Sequence, residues 1–243
     1  MKFEIDDLTI GYGALPIVFD ATLSFAAGEV TAVIGPNGAG KSTLVKGMVG
    51  AAKLFGGSVI VDGETVSVVT PRTLLQKGVA YVPQLNNVFP SLSVRENLEL
   101  GSYVRGGRPI DDVLDILPDL KLLLKRAGGR LSGGQRNMLA VGRALMSNPV
   151  MLLVDEGTAG LAPRIAESLW QDFARLAREG VGVIAVEQNV EIALEHSSQV
   201  ILLTGGRVRS SGPVSNYADE KLLSAMFLGS DVVSTSTTRE SEA

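Results

Sequence analysis

The sequence predicts an α/β protein whose buried parallel sheet is interrupted by a helical insert. Three observations lead to this prediction. Several apolar runs are continuous and bounded by glycine, which is typical of strands covered on both faces. Short N-terminal segments alternate partly between apolar and polar residues, as edge or antiparallel strands do. Residues 86–148 carry apolar residues at three- and four-residue spacing, which indicates helices.

The first part of the chain predicts five strands. FEIDDLTI (3–10) and IVFDATLSF (17–25) have the partial alternation of antiparallel strands. EVTAVIG (29–35) is a continuous apolar run closed by glycine and predicts a buried parallel strand. Further strands are predicted for residues 56–63 and 78–84.

After the helical insert, the pattern of buried strands returns. Strands are predicted for residues 150–156, 181–187 and 199–206. An amphipathic helix is predicted for about 163–179, with Pro163 in a favourable first-turn position. We therefore expect an α/β core formed by residues 1–85 and 149–228, a helical subdomain over residues 86–148, and a polar, disordered tail over residues 229–243.

Composition excludes several classes of protein. The chain has no cysteine, which excludes disulfides and thiolate metal sites, and its one histidine, His196, excludes a multi-histidine metal centre. A net charge of −4 argues against nucleic acid as the main partner. The N-terminus lacks the apolar core of a signal peptide, and no run approaches the roughly 18 apolar residues that span a bilayer. We expect a cytoplasmic protein that can still dock on a membrane protein.

The stretch GPNGAGKS, residues 35–42, matches the phosphate-binding pattern G-x-x-x-x-G-K-[ST] between a predicted strand and a predicted helix. Gly38 and Gly40 permit backbone conformations that let successive N–H groups form an anion nest at the helix N-terminus. We expect Lys41 to reach the β- and γ-phosphates and the Ser42 hydroxyl to ligate Mg²⁺. A chance match in a glycine-rich turn is the alternative. The expected nucleotide contacts in this stretch are Gly35, Asn37, Gly38, Ala39, Gly40, Lys41, Ser42 and Thr43.

Two adjacent acids, Asp155 and Glu156, end the apolar run MLLVDE. Such a pair is costly at the end of a buried strand unless a cation faces it. A Mg²⁺–nucleotide complex supplies that cation, so we expect Asp155 to hold Mg²⁺ through water. Glu156 is then expected to orient or deprotonate the attacking water as a general base. The alternative, two acids that cap the next helix, is weak because that helix starts several residues later.

The stretch LSGGQRNMLAVGRAL (131–145), together with the phosphate loop and MLLVDE, resembles the signature of ATP-binding cassette (ABC) ATPases. The order Lys41, Gln84, Ser132, Asp155 also fits, and the resemblance runs from Tyr12 to about residue 229. It implies a P-loop NTPase (RecA-like) core with a parallel sheet, an N-terminal antiparallel β subdomain and an inserted α-helical subdomain. ATP and Mg²⁺ are the implied cofactors.

The signature predicts a second anion-binding site, because Ser132, Gly133 and Gly134 open a helix. One chain would then have two phosphate-binding sites for a single nucleotide. The resemblance implies a head-to-tail dimer that gives both sites a role. In that dimer the signature residues of one subunit complete the ATP site at Lys41 of the other. These residues are Ser132, Gly133, Gly134 and Gln135. ATP binding would close the dimer and hydrolysis would reopen it.

Two more roles follow from the resemblance alone. Tyr12 stands where an aromatic residue stacks on adenine, and core filling by a strand residue is the alternative. Gln84 matches a glutamine that contacts Mg²⁺ and the attacking water while it links the core to the helical subdomain; the alternative is an ordinary polar turn residue. The segment LNNVFPSLSVREN (85–97) would shape a groove for the cytoplasmic coupling helix of a transporter.

The chain also departs from the usual pattern of the family. Gln188 stands where a histidine usually touches the γ-phosphate, and an amide cannot take up a proton at neutral pH. Glu156 is therefore expected to carry the base role alone, although Gln188 can still donate to phosphate. His196 is not assigned the missing role and is expected to be a satisfied or exposed surface histidine. Gly157 and Ala162 replace the usual proline and aspartate, so we expect altered cross-talk between the two sites of the dimer.

The stretches VEQN, GLAP, VFPSLSVREN, RALMSNP and AMFLG resemble the branch of the family that serves branched-chain amino-acid importers, with close relatives for urea or short amides. This implies an ATPase subunit peripheral to the inner face of the cell membrane. Its implied partners are transmembrane permease subunits, a second ATPase subunit of the same or a different kind and, indirectly, an extracytoplasmic solute-binding protein. A non-transport ABC ATPase for cofactor assembly is the alternative, whereas a nucleotide kinase is disfavoured by LSGGQ.

Overall fold

The computed structural model describes residues 1–85, 87–103, 106–158 and 161–217. The predicted disordered tail, 229–243, and the end of the predicted core after residue 217 lie outside the described residues. In chain order the strands are β1 (Lys2–Tyr12), β2 (Leu15–Ala26), β3 (Val30–Ile34), β4 (Lys53–Val61), β5 (Glu64–Thr65), β6 (Val79–Val82), β7 (Met151–Val154), β8 (Gly182–Val186), β9 (Gln199–Thr204) and β10 (Arg207–Pro213).

Helices cover both the core and the insert. They are α1 (Lys41–Met48), α2 (Pro71–Gln76), α3 (Val94–Ser102), α4 (Ile110–Ile116), α5 (Gly133–Leu145), α6 (Pro163–Arg178) and α7 (Val190–His196). Short 3₁₀ segments span Pro118–Leu123, Gly128–Arg130 and Val214–Tyr217. Among the described residues, no helix combines the length and the apolar character needed to cross a membrane.

The strands form two sheets with different roles. An antiparallel sheet has the order β2-β1-β4-β5, and a mixed sheet has the order β10-β9-β3-β8-β7-β6. In the mixed sheet, β6, β7, β8, β3 and β9 run parallel and β10 pairs antiparallel with β9. The predicted parallel core and N-terminal antiparallel unit are therefore both confirmed.

The parallel strands are apolar throughout because both of their faces are covered. Ala32 and Ile34 pack with the helical insert and α6, whereas Val33 between them packs with α1 and the antiparallel sheet. Successive strand residues point to opposite faces, so one strand contributes to two separate cores. The strand β3 is thereby held rigidly where the phosphate-binding stretch begins.

The insert is helical, as predicted, and its two main helices start at capping boxes. Ser93 caps α3 with Glu96, and Ser132 caps α5 with Gln135; each pair satisfies two otherwise free backbone N–H groups. Apolar residues of both helices join the core on one face of the parallel sheet. The insert is thus docked on the same sheet that ends in the candidate site.

The hairpin of β9 and β10 differs from the sequence prediction. The strand predicted to run through residue 206 ends at Thr204, and Gly205 and Gly206 form a turn with φ of 55° and 74°. Paired left-handed residues favour a tight hairpin, and β10 follows at once. The Gly206 N–H donates to the Ala39 carbonyl at 3.0 Å, so this unpredicted hairpin supports the phosphate-binding stretch.

Candidate active site

The predicted site residues meet at the carboxyl edge of the parallel sheet. The stretch 35–40 follows β3, Gln84 follows β6, Asp155 and Glu156 follow β7, and Gln188 follows β8. Parallel strands end at the same edge, which is where ligands bind in open α/β sheets. Four separated parts of the sequence are thereby brought to one site.

Glycine is required at two positions of the phosphate-binding stretch. Gly35 has φ of 149°, and a Cβ there would lie 2.0 Å from the Leu203 carbonyl oxygen. Gly40 has φ of 99° and precedes α1, and a Cβ there would lie 2.9 Å from Val18. Only glycine adopts these conformations at low cost. The stretch can therefore curl tightly at the N-terminus of α1, where backbone N–H groups favour an anion.

Lys41 is buried and folds back over this stretch. Its Nζ donates to the carbonyl oxygens of Gly35 at 2.7 Å and Pro36 at 3.1 Å. Burial lowers the pKa of Lys41 below its ordinary value, while the carboxylates of Glu156 and Glu187 act in the opposite direction. An ammonium group has three donors, so one remains for a phosphate oxygen.

Asp155 is fully buried at the end of β7. Its Oδ2 accepts from the Tyr81 hydroxyl at 3.4 Å and lies 3.5 Å from Lys46 Nζ. Burial raises the pKa of Tyr81, with a further contribution from the Asp155 charge, so the hydroxyl stays a donor. Asp155 Oδ1 has no hydrogen-bond partner among the described residues. A buried carboxylate oxygen without a partner is costly, and it is the type of ligand that Mg²⁺ prefers.

Glu156 adopts a strained backbone conformation. Its φ is 51°, which is uncommon outside glycine and costs on the order of 1–3 kcal/mol. In this conformation Glu156 Oε2 accepts from Gln84 Nε2 at 2.5 Å. Two residues to which the sequence assigned catalytic roles are therefore in contact, although 72 positions apart in sequence.

Glu156 and Gln84 line a cavity of about 710 Å³ together with Gly133 and Asn137 of α5. Ser132 Oγ accepts from the Gln135 N–H at 3.3 Å, while Gly133 is exposed and Gly134 is buried against Leu161 and Ile165. The start of α5 thus opens onto the space in front of the Glu156 carboxylate.

The sequence of this chain matches one known protein family. The family model described as ABC transporter matches residues 18–159, which is more than half of the chain. The chain belongs to the ABC transporter family. It is an ABC ATPase, the ATP-hydrolysing, ATP-binding subunit of an ABC transporter, with the P-loop NTPase fold of that family.

Individual relatives of this ABC ATPase match it along nearly all of its length. It is 37% identical to the probable branched-chain amino acid transport ATP-binding protein LivF of Archaeoglobus fulgidus, covering 91% of this chain and 96% of that protein. It is 38% identical to the high-affinity branched-chain amino acid transport ATP-binding protein BraG of Pseudomonas aeruginosa, covering 84% and 90%. A nucleotide-free ATP-binding cassette from an ABC transporter superposes with a TM-score of 0.81 at 27% identity, covering 92% and 98%.

Three further residues named from the sequence differ in their relation to this ABC ATPase site. Tyr12 ends β1 in the antiparallel sheet and is 48% exposed, which argues against the alternative role of core filling. Gln188 is exposed after β8. His196 ends α7 near the start of β9, at the opposite edge of the sheet from the site. It is only partly exposed, and its Nε2 is buried without a partner among the described residues, which differs from the expectation of a satisfied or exposed surface histidine.

Sequence reasoning missed two polar residues that organise the ABC ATPase site. Asn137 Nδ2 donates to the Gly157 carbonyl at 2.8 Å, and its Oδ1 accepts from Asn87 Nδ2 at 2.9 Å. It therefore joins the helical insert to the segment that follows Glu156. The second residue is Glu187, which is 6% exposed. A polar residue directly after the buried strand β8 was the available signal for Glu187, whereas Asn137 looks like any polar residue of a helix.

Proposed function

We propose that the chain powers an importer of a small polar solute, most specifically of branched-chain amino acids. The observation that carries this proposal is the identity of 37% and 38%, over nearly the whole chain, to two ATP-binding proteins of branched-chain amino acid transport. A shared fold alone would not support a solute class, because one fold serves many functions. Identity that extends beyond the nucleotide-binding motifs supports a shared type of transporter.

In the proposed reaction, phosphate groups bind at the N-terminus of α1. The backbone N–H groups of Gly38 and Gly40, with the side chains of Lys41, Ser42 and Thr43, neutralise and orient them. Tyr12, exposed at the end of β1, is proposed to stack on the adenine ring. The remaining contacts assigned to this stretch come from Gly35, Asn37 and Ala39.

The donor set at the end of β7 fits Mg²⁺. Asp155 offers a buried carboxylate oxygen that has no partner among the described residues, and the Ser42 hydroxyl and the Gln84 amide oxygen complete the proposed ligands. When bound, Mg²⁺ would neutralise charge that develops on the phosphate oxygens during transfer. Lys46 Nζ lies 3.5 Å from the other carboxylate oxygen, Asp155 Oδ2, and partly compensates the same buried charge.

Glu156 is proposed to be the general base. Its carboxylate is held at the mouth of the cavity because Gln84 Nε2 donates to Oε2 at 2.5 Å, and the other carboxylate oxygen is proposed to accept a hydrogen bond from the attacking water. Gln188 can donate a hydrogen bond to the γ-phosphate but cannot accept a proton at neutral pH. The proton of the attacking water is therefore proposed to move to Glu156.

A groove next to the site suits the proposed permease partner. It has a volume of about 370 Å³ and is lined by Phe89, Leu100, Arg143 and Tyr81. Phe89 is half exposed, and its backbone is fixed by the buried side chain of Asn97 through bonds of 2.8 and 3.0 Å. An apolar groove with rigid walls is the surface into which a helix of a permease would dock. Tyr81 also donates to Asp155, so a permease helix in this groove would contact a residue that touches the proposed catalytic site.

The remaining partners and the location follow from this proposal. A second ATPase subunit, identical or different, is proposed to bind head to tail, so that Ser132, Gly133, Gly134 and Gln135 meet its nucleotide. The complex would lie at the inner face of the cell membrane and receive its solute from an extracytoplasmic binding protein. Nucleic acid is not a proposed partner, in keeping with the net charge of −4.

Uptake measurements in the source cell test the transport function. We expect that deleting the gene for this chain abolishes uptake of radiolabelled leucine, isoleucine and valine, and that the wild-type chain but not Glu156→Gln restores it. Loss of urea or acetamide uptake instead would assign the solute to the urea and short-amide group. Unchanged uptake of all these solutes, with intact ATPase activity, would favour a role outside transport such as cofactor assembly.

A groove variant tests the permease contact separately. Leu100→Asp places a charge in the groove and should abolish the restored uptake, while ATP hydrolysis by the purified chain remains. Leu122→Asp is the matched control, since Leu122 is 91% exposed and lies outside the groove. Equal uptake with Leu100→Asp and with the control would argue against docking at this groove.

A further inference from the structure

Glu187 is a buried carboxylate that accepts four hydrogen bonds. Its Oε1 accepts from the backbone N–H groups of Gln188 at 2.7 Å and Asn189 at 2.9 Å. Its Oε2 accepts from Trp170 Nε1 at 3.1 Å and from the Thr158 hydroxyl. Among the described residues, no cation lies within ion-pair distance of Glu187. A buried charge of this kind is retained only when hydrogen bonds replace its hydration.

The four donors come from three separate parts of the fold. Gln188 and Asn189 form the turn between β8 and α7, Trp170 lies on α6, and Thr158 lies two residues after Glu156. One carboxylate therefore joins the turn that carries Gln188 to the segment that carries Glu156. The charges of Glu187 and Glu156 both oppose the lowering of the Lys41 pKa by burial, so both carboxylates act on the lysine of the phosphate-binding stretch.

We propose that Glu187 is a positioning residue for ATP hydrolysis. It holds the segment 155–158 and the turn at Gln188 in a fixed relation, so that Glu156 and Gln188 face the same phosphate. This inference rests on the roles proposed above for Glu156 and Gln188. Misplacing a catalytic group by about 1 Å costs on the order of 100-fold in rate, so the effect should fall on kcat.

The substitution Glu187→Gln tests this role at nearly constant shape. The amide oxygen can still accept from Gln188 and Asn189, but the amide nitrogen then meets the Trp170 N–H, and two donors face each other. We expect kcat for ATP to fall about tenfold or more, with KM within about threefold of the wild type. Glu195→Gln, an exposed acid on α7, is the matched control and should leave both constants unchanged.

A second substitution should rescue the first. Trp170→Phe removes the opposing donor, so that the amide nitrogen introduced by Glu187→Gln can donate to the Thr158 hydroxyl alone. In the double variant Glu187→Gln with Trp170→Phe we expect kcat to recover at least threefold relative to Glu187→Gln, about half of the tenfold loss on a logarithmic scale.

Thr158→Val removes only the hydroxyl at constant volume and gives a readout should Glu187→Gln fold poorly. We expect its kcat to fall about threefold to tenfold at unchanged KM.

The outcomes separate this inference from the proposed roles of the site. A kcat near the wild-type value in both Glu187→Gln and Thr158→Val would overturn the inference, and so would a loss of stability in both with unchanged turnover per folded molecule. Glu156→Gln is measured in parallel. Should Glu156→Gln be inactive while both other variants turn over normally, only the inference fails. Should Glu156→Gln hydrolyse ATP normally, the proposed base role fails instead.

Discussion

The two oxygens of the Asp155 carboxylate have different surroundings, and this difference makes the proposed metal site testable. Oδ2 is shared by Lys46 and Tyr81, whereas Oδ1 has no partner in the described part of the chain. Asp155 is fully buried, while the side chain of Lys46 is 31% exposed. In the absence of a metal ion, Lys46 is thus the main compensation for a buried charge.

Lys46→Met should therefore destabilise the nucleotide-free protein. We expect the free energy of unfolding to fall by about 1–2 kcal/mol, because a buried carboxylate loses its cation while the aliphatic stem is kept. With saturating ATP and Mg²⁺ the difference from wild type should shrink, since a second cation then faces Asp155. Denaturant titrations with and without nucleotide measure both values.

The control for this prediction is Lys77→Met. Lys77 pairs with Glu64 at 3.2 Å in an exposed position, so its loss should cost no more than about 0.5 kcal/mol. An equal loss of stability for Lys46→Met in the presence and absence of ATP and Mg²⁺ would contradict a metal ion at Asp155.

Glu156 is the residue whose substitution should separate binding from hydrolysis. Glu156→Gln keeps the shape of the side chain and its contact with Gln84, but an amide cannot accept the proton of the attacking water. We expect kcat to fall about 100-fold or more, while the affinity for ATP stays within about threefold. Steady-state hydrolysis and equilibrium ATP binding measure the two, with Glu167→Gln, an exposed acid on α6, as the control. A parallel loss of affinity would point to a binding role.

At the scale of elements, α6 is tied to the helical insert by Arg175. Its Nη2 donates to the Ile116 carbonyl at the end of α4 and to Asp172 Oδ1, the latter at 2.8 Å. Burial raises the pKa of Asp172 to about 6, against the opposing effect of Arg175. The charged form of Asp172 is therefore disfavoured in the folded protein relative to the unfolded chain, where an aspartate titrates at roughly pH 3.9.

Asp172→Asn should change the pH dependence of stability. Because the folded protein binds a proton more tightly than the unfolded chain, wild-type stability should fall as pH rises from about 4 to about 6 and stay lower above it. Asparagine can still accept from Arg175 and carries no charge. We expect equal stabilities at about pH 4 and an advantage of about 1 kcal/mol for the variant near pH 7.5, after allowance for solvent screening.

Unfolding titrations across this pH range provide the measurement, and Glu167→Gln serves as the control on the same helix. A difference between Asp172→Asn and wild type that is constant with pH would show that Asp172 titrates alike in both states.

The elements that could be predicted from the sequence are those whose local residue pattern is enough to identify a strand or a helix. The strands β3, β7 and β8 are buried at every residue, so their continuous apolar runs predicted them. The helix α6 starts at a proline, which predicted where it begins. The strand β10 was missed because its hairpin depends on two glycines that looked like the end of a strand. Glu187 and Asn137 were missed because the contacts that tie them to the site, with Trp170 and with Gly157, join residues 17 and 20 positions apart, and no periodicity encodes such contacts.

The same limit applies to the backbone of the site. The pattern MLLVDE predicted where the two acids lie, but a positive φ at a glutamate follows from the packing around it and not from its residue type. The phosphate-binding stretch was easier to predict, because its positions with positive φ are occupied by glycine. The unusual backbone at Gly35 and Gly40 is therefore visible in the sequence, whereas the positive φ at Glu156 is not.

At the scale of the whole molecule, the two glycines that open α5 differ in their surroundings. A Cβ added at Gly134 would lie 3.2 Å from the Leu161 side chain, but a Cβ at Gly133 would meet no described residue within 4 Å. Glycine at the first position of a helix costs stability relative to alanine. An exposed glycine kept at this cost is explained when another molecule approaches the backbone closely.

Gly133→Ala is therefore expected to spare the fold and impair assembly. The methyl group has space in the single chain and should raise the free energy of unfolding by up to about 1 kcal/mol. In the proposed head-to-tail dimer the same methyl group would meet the nucleotide of the second subunit. We expect ATP-dependent dimerisation of the Glu156→Gln variant, measured by light scattering, to weaken at least about tenfold on adding Gly133→Ala. Gly56→Ala, at an equally open glycine of β4, should leave the dimer intact. Undiminished dimerisation with Gly133→Ala would mean that the signature does not contact the nucleotide of a second subunit, and that the exposed glycine needs another explanation.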